Sequence, residues 1–344
     1  MKSLMINAPQ TFTEVEKPLP EKKDGFAIMK IAYGAICGSD RNVWATGFPF
    51  SPGHEFSGWI AEPGDSGLAV GDAVCAPEIV PCGKCAACRS GRGNLCAELC
   101  SASPGLSMDG AYTEYIYVRS GYLRKLPEGM PLELGAIVEP VAVSLHGIHR
   151  LAPAAGEPVL IWGNGPIGVY AAACAKLSGA GKVYMVGRNQ PRVDICNSYG
   201  FVDGCFSILD PEFDAKLAEV MPAGGFKYAL DALGAEEAFD QIASKLAPGA
   251  RLALLGLHSP RINFSAMAVL AKEIDLISGW FFTLDEYDEA LAGVNANREM
   301  FAQTITNKIP NDAAVVQAMF EKLFLSGRND EMKVLIDPST NSQN

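Results

Sequence analysis

The sequence of 344 residues lacks several features that mark other classes of protein. It contains no run of about 18 consecutive apolar residues, which argues against a membrane-spanning helix. Its N-terminus has no long apolar run of the signal-peptide type, so a chain with ten cysteines is expected in a reducing compartment, by default the cytoplasm. Acidic residues outnumber basic residues. The formal net charge of −11 argues against non-specific binding to nucleic acid or to acidic membranes.

The length and the 49% hydrophobic content allow about two domains with sizeable cores. Short β-favouring segments between glycine turns fill the first part of the chain and predict a β-rich, barrel-like domain. From about residue 157, strands alternate with helices, which predicts a doubly wound parallel sheet. The prediction is an α/β protein with one domain over 1–147, completed by 283–344, and a dinucleotide-binding domain over 148–282.

Four cysteines follow the spacing C-x2-C-x2-C-x7-C: Cys82, Cys85, Cys88 and Cys96. Two-residue spacers let neighbouring sulfurs converge on one ion at about 2.3 Å. Clustered cysteines in a reducing compartment favour metal binding over disulfides. A site closed by four thiolates has no open coordination position, so the zinc expected here is structural. Five other cysteines are expected to pack as small hydrophobic residues, namely Cys75, Cys100, Cys174, Cys196 and Cys205.

A glycine-rich turn, Gly163-Asn-Gly-Pro-Ile-Gly168, directly follows an apolar strand and opens an alanine-rich helix. That context makes the G-x-G-x-x-G pattern specific for dinucleotides. The first glycine permits a tight turn, the second lets the backbone approach a pyrophosphate, and the third allows close packing of helix on strand. The helix N-terminus then presents N–H groups to the anion. We therefore expect cofactor contacts from Gly163, Gly165, Pro166, Ile167 and Gly168.

The second strand of this region ends without the Asp or Glu that an NAD site normally has about 20 residues past the glycines. Gly187 and Arg188 stand there instead. Without a carboxylate at this position, the 2′-phosphate of NADP is not repelled. Arginine supplies a bidentate donor for that phosphate. We predict a preference for NADP, with Arg192 able to share the phosphate. The alternative is that Arg188 is a solvated loop charge and NAD binds.

A second metal site is indicated before the cysteine-rich lobe. Cys37 and His54 can ligate one zinc, with Glu55 or Glu139 as an oxygen ligand. A catalytic zinc keeps one coordination position open for water or substrate. Taken alone, the Gly-His-Glu pattern is weak, because a single buried histidine is more often part of the structure than a ligand.

Five motifs in this order resemble the zinc-containing medium-chain alcohol dehydrogenase superfamily over nearly the whole chain: Cys37-Gly-Ser-Asp40, Gly53-His-Glu55, the four-cysteine lobe, Glu139-Pro140 and the glycine-rich turn. Glu55 and Glu139 make the chain most similar to the polyol branch, which includes sorbitol and galactitol-phosphate dehydrogenases. The resemblance implies a GroES-like catalytic domain joined to a Rossmann domain, an active site in the cleft, and dimers or tetramers.

The resemblance also implies roles for single residues. Zinc would lower the pKa of a bound alcohol, Ser39 would take its proton, and hydride would move to the nicotinamide. Glu55 and Glu139 would serve this catalytic zinc. Lys333 resembles a basic residue that faces the pyrophosphate in the family, and a solvated surface lysine is the alternative.

Two departures from the family pattern concern the segment over 41–53. The spacer between Cys37 and His54 is short and is predicted to form an aromatic loop, so the wall of the substrate pocket should differ. Asn42 stands where many relatives place a histidine that ends a proton relay. The proton would then leave Ser39 through ribose and water or through another group.

The remaining histidines receive no catalytic role. His146 and His149 lie on a predicted linking helix and are expected to be structural. His258 follows the strand predicted over 251–257, where ligands gather in doubly wound sheets.

Three functions compete. The first is a zinc-dependent, NAD(P)-dependent oxidoreductase acting on a secondary alcohol, which could be a polyol, sugar alcohol, sugar phosphate or cyclitol. The second is a threonine dehydrogenase-like enzyme on the same scaffold. The third is a non-catalytic nucleotide-binding regulator, against which the intact Cys37, His54, Glu55 and Ser39 argue. The expected partners are a small-molecule alcohol or ketone and other copies of the chain in a homodimer or homotetramer, without nucleic acid or membrane.

Overall fold

The structure is a computed structural model that describes residues 1–256, 264–327 and 330–338. Within these residues the strands are β1 Lys2–Ala8, β2 Thr11–Glu16, β3 Phe26–Ala35, β4 Glu55–Glu62, β5 Ala73–Cys75, β6 Tyr115–Arg119, β7 Arg124–Lys125, β8 Val159–Trp162, β9 Val183–Gly187, β10 Gly204–Ser207, β11 Phe226–Asp231, β12 Leu246–Leu254, β13 Asp275–Ser278, β14 Ile305–Pro310 and β15 Lys333–Asp337.

The α-helices in the same residues are α1 Asp40–Thr46, α2 Ala86–Arg89, α3 Leu132–Gly135, α4 Val138–Leu151, α5 Pro166–Leu177, α6 Gln190–Ser198, α7 Phe213–Val220, α8 Ala238–Lys245, α9 Ala266–Leu270, α10 Leu284–Ala296, α11 Arg298–Ala302 and α12 Ala313–Phe324. None of these described helices combines the length and the apolar character needed to cross a membrane.

The described chain forms two compact units. Unit 1 comprises residues 1–139, 283–327 and 333–338, and unit 2 comprises residues 140–256, 264–282 and 330–332. The first change between the units falls inside α4, and the second falls just before α10.

Unit 1 is built around a mixed, mainly antiparallel sheet in the order β14-β15-β3-β4-β5-β7, with β6 also paired to β3. The central strand β3 pairs antiparallel with β4 on one side and with β15 on the other. Residues that are far apart in sequence therefore flank the same strand. This arrangement matters for the candidate site, because β3 ends two residues before Cys37 and β4 begins at Glu55.

The aromatic loop predicted over 41–53 is wrong for its first part, because residues 40–46 form helix α1. The reason is tertiary packing. Trp44 is 1% exposed and its ring contacts Phe320 on α12 at a centroid distance of 5.7 Å. Asp40 and Trp44 are both buried and lie four residues apart, so a helix places them on one face while Arg41 and Asn42 stay exposed.

Unit 2 contains a parallel sheet in the order β10-β9-β8-β11-β12-β13. Counted within the unit, this is the strand order 3-2-1-4-5-6 of a dinucleotide-binding fold. The order reverses between β8 and β11, and ligands bind such sheets at that switch point, beyond the carboxyl ends of the strands. All four residues of β8 are buried, as expected for a strand covered on both faces. The predicted doubly wound parallel sheet is confirmed.

Candidate functional site

The four-cysteine lobe brings its sulfurs together. The Sγ atoms of Cys82, Cys85, Cys88 and Cys96 all lie within 4.8 Å of one another. Cys85 caps the N-terminus of α2 and lies 3.5 Å from the Cys88 sulfur. Backbone N–H groups also point at sulfurs, with Cys82 N–H donating to Cys96 Sγ at 3.4 Å and Cys88 N–H to Cys85 Sγ at 3.5 Å.

These four sulfurs fit a tetrahedral zinc ion. Zn–S bonds of about 2.3 Å place tetrahedral sulfurs ~3.8 Å apart, close to the spacing found here. Hydrogen bonds from the backbone lower the pKa of Cys82 to about 7, which favours the thiolate that a metal requires. None of the ten cysteines, all of which lie in the described residues, forms a disulfide.

A second cluster forms where β3 ends and β4 begins. Ala35 and Glu55 are paired in the β3–β4 ladder, so Cys37 and His54 lie just beyond the same edge of the sheet. The ligand atoms of Cys37, His54 and Glu55 lie within 4.8 Å of one another. His54 and Glu55 are buried, whereas Cys37 is half-buried. A thiolate, an imidazole and a carboxylate are donors that suit zinc.

Asp40 supports this cluster from the first residue of α1. Its Oδ2 accepts from the Cys37 N–H at 3.0 Å and from the Tyr112 hydroxyl at 2.8 Å, while its Oδ1 lies 3.7 Å from His54 Nδ1. The 3.7 Å separation is too long for a hydrogen bond, and His54 Nδ1 has no hydrogen-bond partner among the described residues, so Asp40 acts on the ring through its charge. Burial alone would lower the pKa of His54, but Cys37, Asp40 and Glu139 raise it well above its ordinary value.

Two further buried carboxylates, Glu139 and Glu78, border the cluster. Glu139 on α4 is 5% exposed, and burial followed by the charge of Glu78 raises its pKa well above the ordinary value. Glu78 is fully buried, and within the described part of the chain neither of its carboxylate oxygens has a hydrogen-bond partner. Burial raises the pKa of Glu78 to about 7, against the attraction of His54. Buried carboxylates without donors are costly unless a cation compensates them.

Glu55 is compensated in a different way. Its Oε2 lies 2.5 Å from Lys333 Nζ, and the same ammonium donates to the Ile36 carbonyl at 3.1 Å. The other oxygen, Glu55 Oε1, is buried and has no hydrogen-bond partner among residues 1–256, 264–327 and 330–338. The carboxylate is therefore held on one side by Lys333, and its second oxygen remains available as a ligand atom.

Ser39 lies between the metal cluster and helix α1. Its hydroxyl donates to Cys37 Sγ at 3.2 Å, and the side chain is half-buried. Asn42 is exposed on α1.

In unit 2, β8 ends at Trp162 and α5 begins at Pro166, so Gly163, Asn164 and Gly165 form the turn between them. Gly163 has a φ of 119°, which a residue with a side chain rarely adopts. A methyl group at Gly168 would lie 1.9 Å from the Gly163 carbonyl oxygen, so only glycine lets the helix approach the turn this closely. The turn thus has the backbone shape that cradles a pyrophosphate.

The end of β9 carries the residues that the sequence predicts to contact the adenosine ribose of the cofactor. Gly187 is the last residue of β9 and is buried, and Arg188 follows it as an exposed side chain. Arg192 on α6 donates from Nε to the Glu331 carbonyl at 2.8 Å, and its Nη1 lies 4.0 Å from the position a methyl group would take at Gly165. His258, which follows the strand predicted over 251–257, lies outside the described residues.

Comparison with known proteins agrees with this geometry. The family model "Alcohol dehydrogenase GroES-like domain" matches residues 23–128, and the model "Zinc-binding dehydrogenase" matches residues 166–296. The probable D-xylulose reductase A of Aspergillus terreus is 30% identical over 317 residues, covering 87% of this chain and 88% of that protein. The chain belongs to the zinc-containing medium-chain alcohol dehydrogenase superfamily.

Other members of the superfamily are similar to this chain. The L-threonine 3-dehydrogenase of Rhizobium etli is 31% identical over 294 residues, covering 80% of this chain and 82% of that protein. The crystal structure of galactitol-1-phosphate dehydrogenase from Escherichia coli superposes with a TM-score of 0.85 at 27% identity, covering 98% of this chain and all of that one. The predicted superfamily and its polyol dehydrogenase-like branch are confirmed.

Membership in the superfamily confirms several predictions at once. The fold is a GroES-like domain together with a Rossmann-type parallel sheet. The chain is an NAD(P)-dependent, zinc-binding alcohol dehydrogenase, so the hypothesis of a non-catalytic regulator is set aside. The roles of single residues stay predictions.

Sequence reasoning missed three residues of the site. It quoted Asp40 only as part of a motif, although this residue connects Cys37, His54 and Tyr112. It gave no role to Glu78, which follows β5 and belongs to none of the motifs recognised in the sequence. It quoted Asn164 only as part of the glycine-rich turn and gave it no role.

Proposed function

We propose that the protein interconverts a secondary alcohol and its ketone on a polyol, sugar alcohol, sugar phosphate or cyclitol, with NADP as the preferred nicotinamide cofactor. The observation that carries this proposal is the cluster of Cys37, His54 and Glu55, whose ligand atoms lie within 4.8 Å of one another. The relatives named for D-xylulose and galactitol-1-phosphate support the polyhydroxylated class of substrate.

For the catalytic metal we propose Cys37, His54 and the unpartnered Oε1 of Glu55 as the ligand set, with Glu139 as the alternative oxygen ligand. A zinc ion held there acts as a Lewis acid that lowers the pKa of a bound alcohol. The surrounding residues support the ligands. Asp40 accepts from the Cys37 N–H and places its charge 3.7 Å from His54 Nδ1, and Lys333 holds Glu55 by its other oxygen.

Ser39 is the proposed first proton acceptor. Its hydroxyl is 3.2 Å from Cys37 Sγ and therefore lies beside the proposed ligand set. A hydroxyl can accept one proton and donate its own, which suits a relay. Because Asn42 cannot carry a proton as an imidazole does, the relay from Ser39 would have to leave the site by a route other than position 42.

The four-cysteine lobe is proposed to hold a second zinc with a structural role. All four ligands come from the chain, so no coordination position remains for a substrate. The cofactor is proposed to bind through Gly163, Gly165, Pro166, Ile167 and Gly168, with Gly187 and Arg188 at the adenosine ribose. Lys333 remains a candidate for the pyrophosphate only in addition to its bonds with Glu55 and Ile36.

The test is a substrate screen with metal analysis. Polyols, sugar phosphates, cyclitols and amino alcohols are offered with NADP and with NAD, and the absorbance of the reduced cofactor is followed. We expect two zinc ions per chain, turnover of a polyhydroxylated substrate, and loss of turnover but not of cofactor binding in Cys37→Ala and His54→Ala. Turnover retained by either variant would sink the proposed site.

Threonine is the second candidate substrate, because a relative of similar identity is named for it. Its amino group separates it from the polyols in the same screen. Turnover of threonine without turnover of any polyol would replace the first proposal by the second.

We further propose that the chain functions in the cytoplasm as a homodimer or homotetramer. None of the ten cysteines, which all lie in the described residues, forms a disulfide, and this suits a reducing compartment. Light scattering of the purified protein measures the oligomeric state, and a monomeric mass at micromolar concentration would contradict it.

A further inference from the structure

The side chain of Asn164 occupies the space above Gly187. A methyl group at Gly187 would lie 2.0 Å from Asn164 Cγ, 2.2 Å from Nδ2 and 2.3 Å from Oδ1. These distances are far below van der Waals contact, so no side chain fits at 187 while Asn164 keeps its position. Gly187 is therefore required by a neighbour and not by its own backbone, since its φ is not positive.

Asn164 is held in place. It is 7% exposed, and its Nδ2 donates to the Asn189 carbonyl at 3.3 Å. Cγ is one of the three clashing atoms, and rotation of the amide about the Cβ–Cγ bond does not move it. Such a rotation therefore does not relieve the clash. Relief needs a change of χ1, and the backbone of the turn is fixed by the Gly163 N–H bond to the Val186 carbonyl at 2.8 Å.

This contact lies where the two classes of nicotinamide cofactor differ. In a sheet of this strand order, the residue that ends the second strand faces the adenosine ribose, and a carboxylate there binds the hydroxyls of NAD. Asn164 fills the volume in which that carboxylate would begin. It brings a neutral amide in place of a negative charge, and a neutral group does not repel a 2′-phosphate.

We propose that Asn164 is a cofactor-specificity residue that keeps a carboxylate out of the adenosine-ribose site by occupying the space above Gly187. The proposal rests on the proposed NADP preference and adds its structural cause. The preference for NADP then depends on two groups. Arg188 attracts the 2′-phosphate, and Asn164 leaves no space at position 187 for the Asp or Glu side chain that would bind the ribose of NAD. A single Gly187→Asp change therefore cannot convert the site to NAD, because the new side chain has no room.

The test compares three variants of the full-length protein: Gly187→Asp, Asn164→Ala and the double variant. Dissociation constants for NADPH and NADH are measured by fluorescence titration. We expect Gly187→Asp to weaken both cofactors, whereas the double variant binds NADH and shifts the NADH-to-NADPH ratio of affinities by about tenfold to hundredfold. A single Gly187→Asp variant that already prefers NADH would overturn the proposal.

A smaller change keeps the test decisive if Gly187→Asp does not fold. Gly187→Ala adds one methyl group, and overpacking of this kind lowers Tm by about 2–10 °C. We expect Asn164→Ala to restore most of that loss in the double variant, because alanine lacks all three clashing atoms. Equal losses with and without Asn164 would refute the contact.

Gly200→Ala is the matched control, because a methyl group there would meet nothing within 4 Å and its φ is not positive. Its Tm should stay within about 1 °C of the unmodified protein. If the unmodified protein prefers NADH, the proposed NADP preference is wrong, and the Asn164–Gly187 contact is still judged by the Tm values of the alanine variants.

Discussion

Lys333 and Glu55 form a buried ion pair between strands that flank β3. Nζ lies 2.5 Å from Oε2, and each side chain is 1% exposed. Lys333 begins β15 and Glu55 begins β4, and both strands pair with β3. A residue that sequence reasoning assigned to the cofactor is thus bonded to a candidate metal ligand. Its predicted contact with the pyrophosphate stays a prediction.

Replacing Lys333 by methionine should destabilise the protein strongly. The change leaves Glu55 buried without its cation, and removing one partner of a buried pair costs about 3–5 kcal/mol. Denaturant unfolding measures the loss. Lys308→Met is the control, because the side chains of its pair with Glu133 are 48% and 25% exposed, and pairs that reach solvent contribute about 0–1 kcal/mol. Similar losses in the two variants would contradict the structural role of the buried pair.

Replacing Cys88 by serine should remove one zinc ion per chain and lower Tm. Only three sulfurs then remain in the lobe, and the folding of such loops is coupled to metal binding. Metal analysis and thermal unfolding provide the measurement, with Cys100→Ala as a control outside the four-sulfur cluster. A variant that keeps two zinc ions and its Tm would disprove the structural site.

Replacing Asp40 by asparagine should weaken zinc binding at the Cys37–His54–Glu55 cluster by about 10–100-fold. The carboxylate accepts from the Cys37 N–H and lies 3.7 Å from His54 Nδ1, and supporting groups of this kind have effects of that size. Competition with a chelator measures the dissociation constant. Asp288→Asn removes a carboxylate that is half exposed and should leave the constant unchanged. An unchanged constant in Asp40→Asn would remove this residue from the site.

Replacing Glu78 by glutamine should stabilise the protein after its metal has been removed. Both carboxylate oxygens are buried without donors, so a neutral amide of the same shape lowers the desolvation penalty. We expect the Tm of the chelator-treated variant to rise by ~2–4 °C, equivalent to about 1 kcal/mol. Glu16→Gln, at a largely exposed carboxylate, is the control. A fall in Tm would mean that Glu78 has a donor in solution.

Replacing Arg188 by alanine should weaken NADP binding about tenfold to hundredfold and leave NAD binding nearly unchanged. A hydrogen bond to a charged group is worth on the order of 1–3 kcal/mol, and only NADP carries the 2′-phosphate. Titration with both cofactors measures the two constants, with Lys227→Ala as an exposed cation of the same unit. Equal effects on both cofactors would assign Arg188 to a general electrostatic role. Arg192 could mask part of the loss.

The sequence predicted which residues come together in the local parts of the candidate site. The four cysteines span 15 residues, and the glycine-rich turn joins one strand directly to one helix. Spacing along the chain therefore limits how far their atoms can separate. The order of five motifs also identified the superfamily, because each motif kept its place relative to the others. The helix at 40–46 was missed, since the partner of Trp44 on α12 lies far along the chain.

The sequence by itself determined the residue types of the two candidate metal clusters, the glycine-rich turn and the absence of an Asp or Glu at the end of β9. Only the tertiary structure decided which groups meet these residues. Lys333 reaches Glu55 across 278 positions, Tyr112 reaches Asp40 across 72, and Asn164 lies over Gly187 because two neighbouring strands end side by side. Such contacts depend on strand order and register, which a long chain encodes through its whole core and not through local spacing.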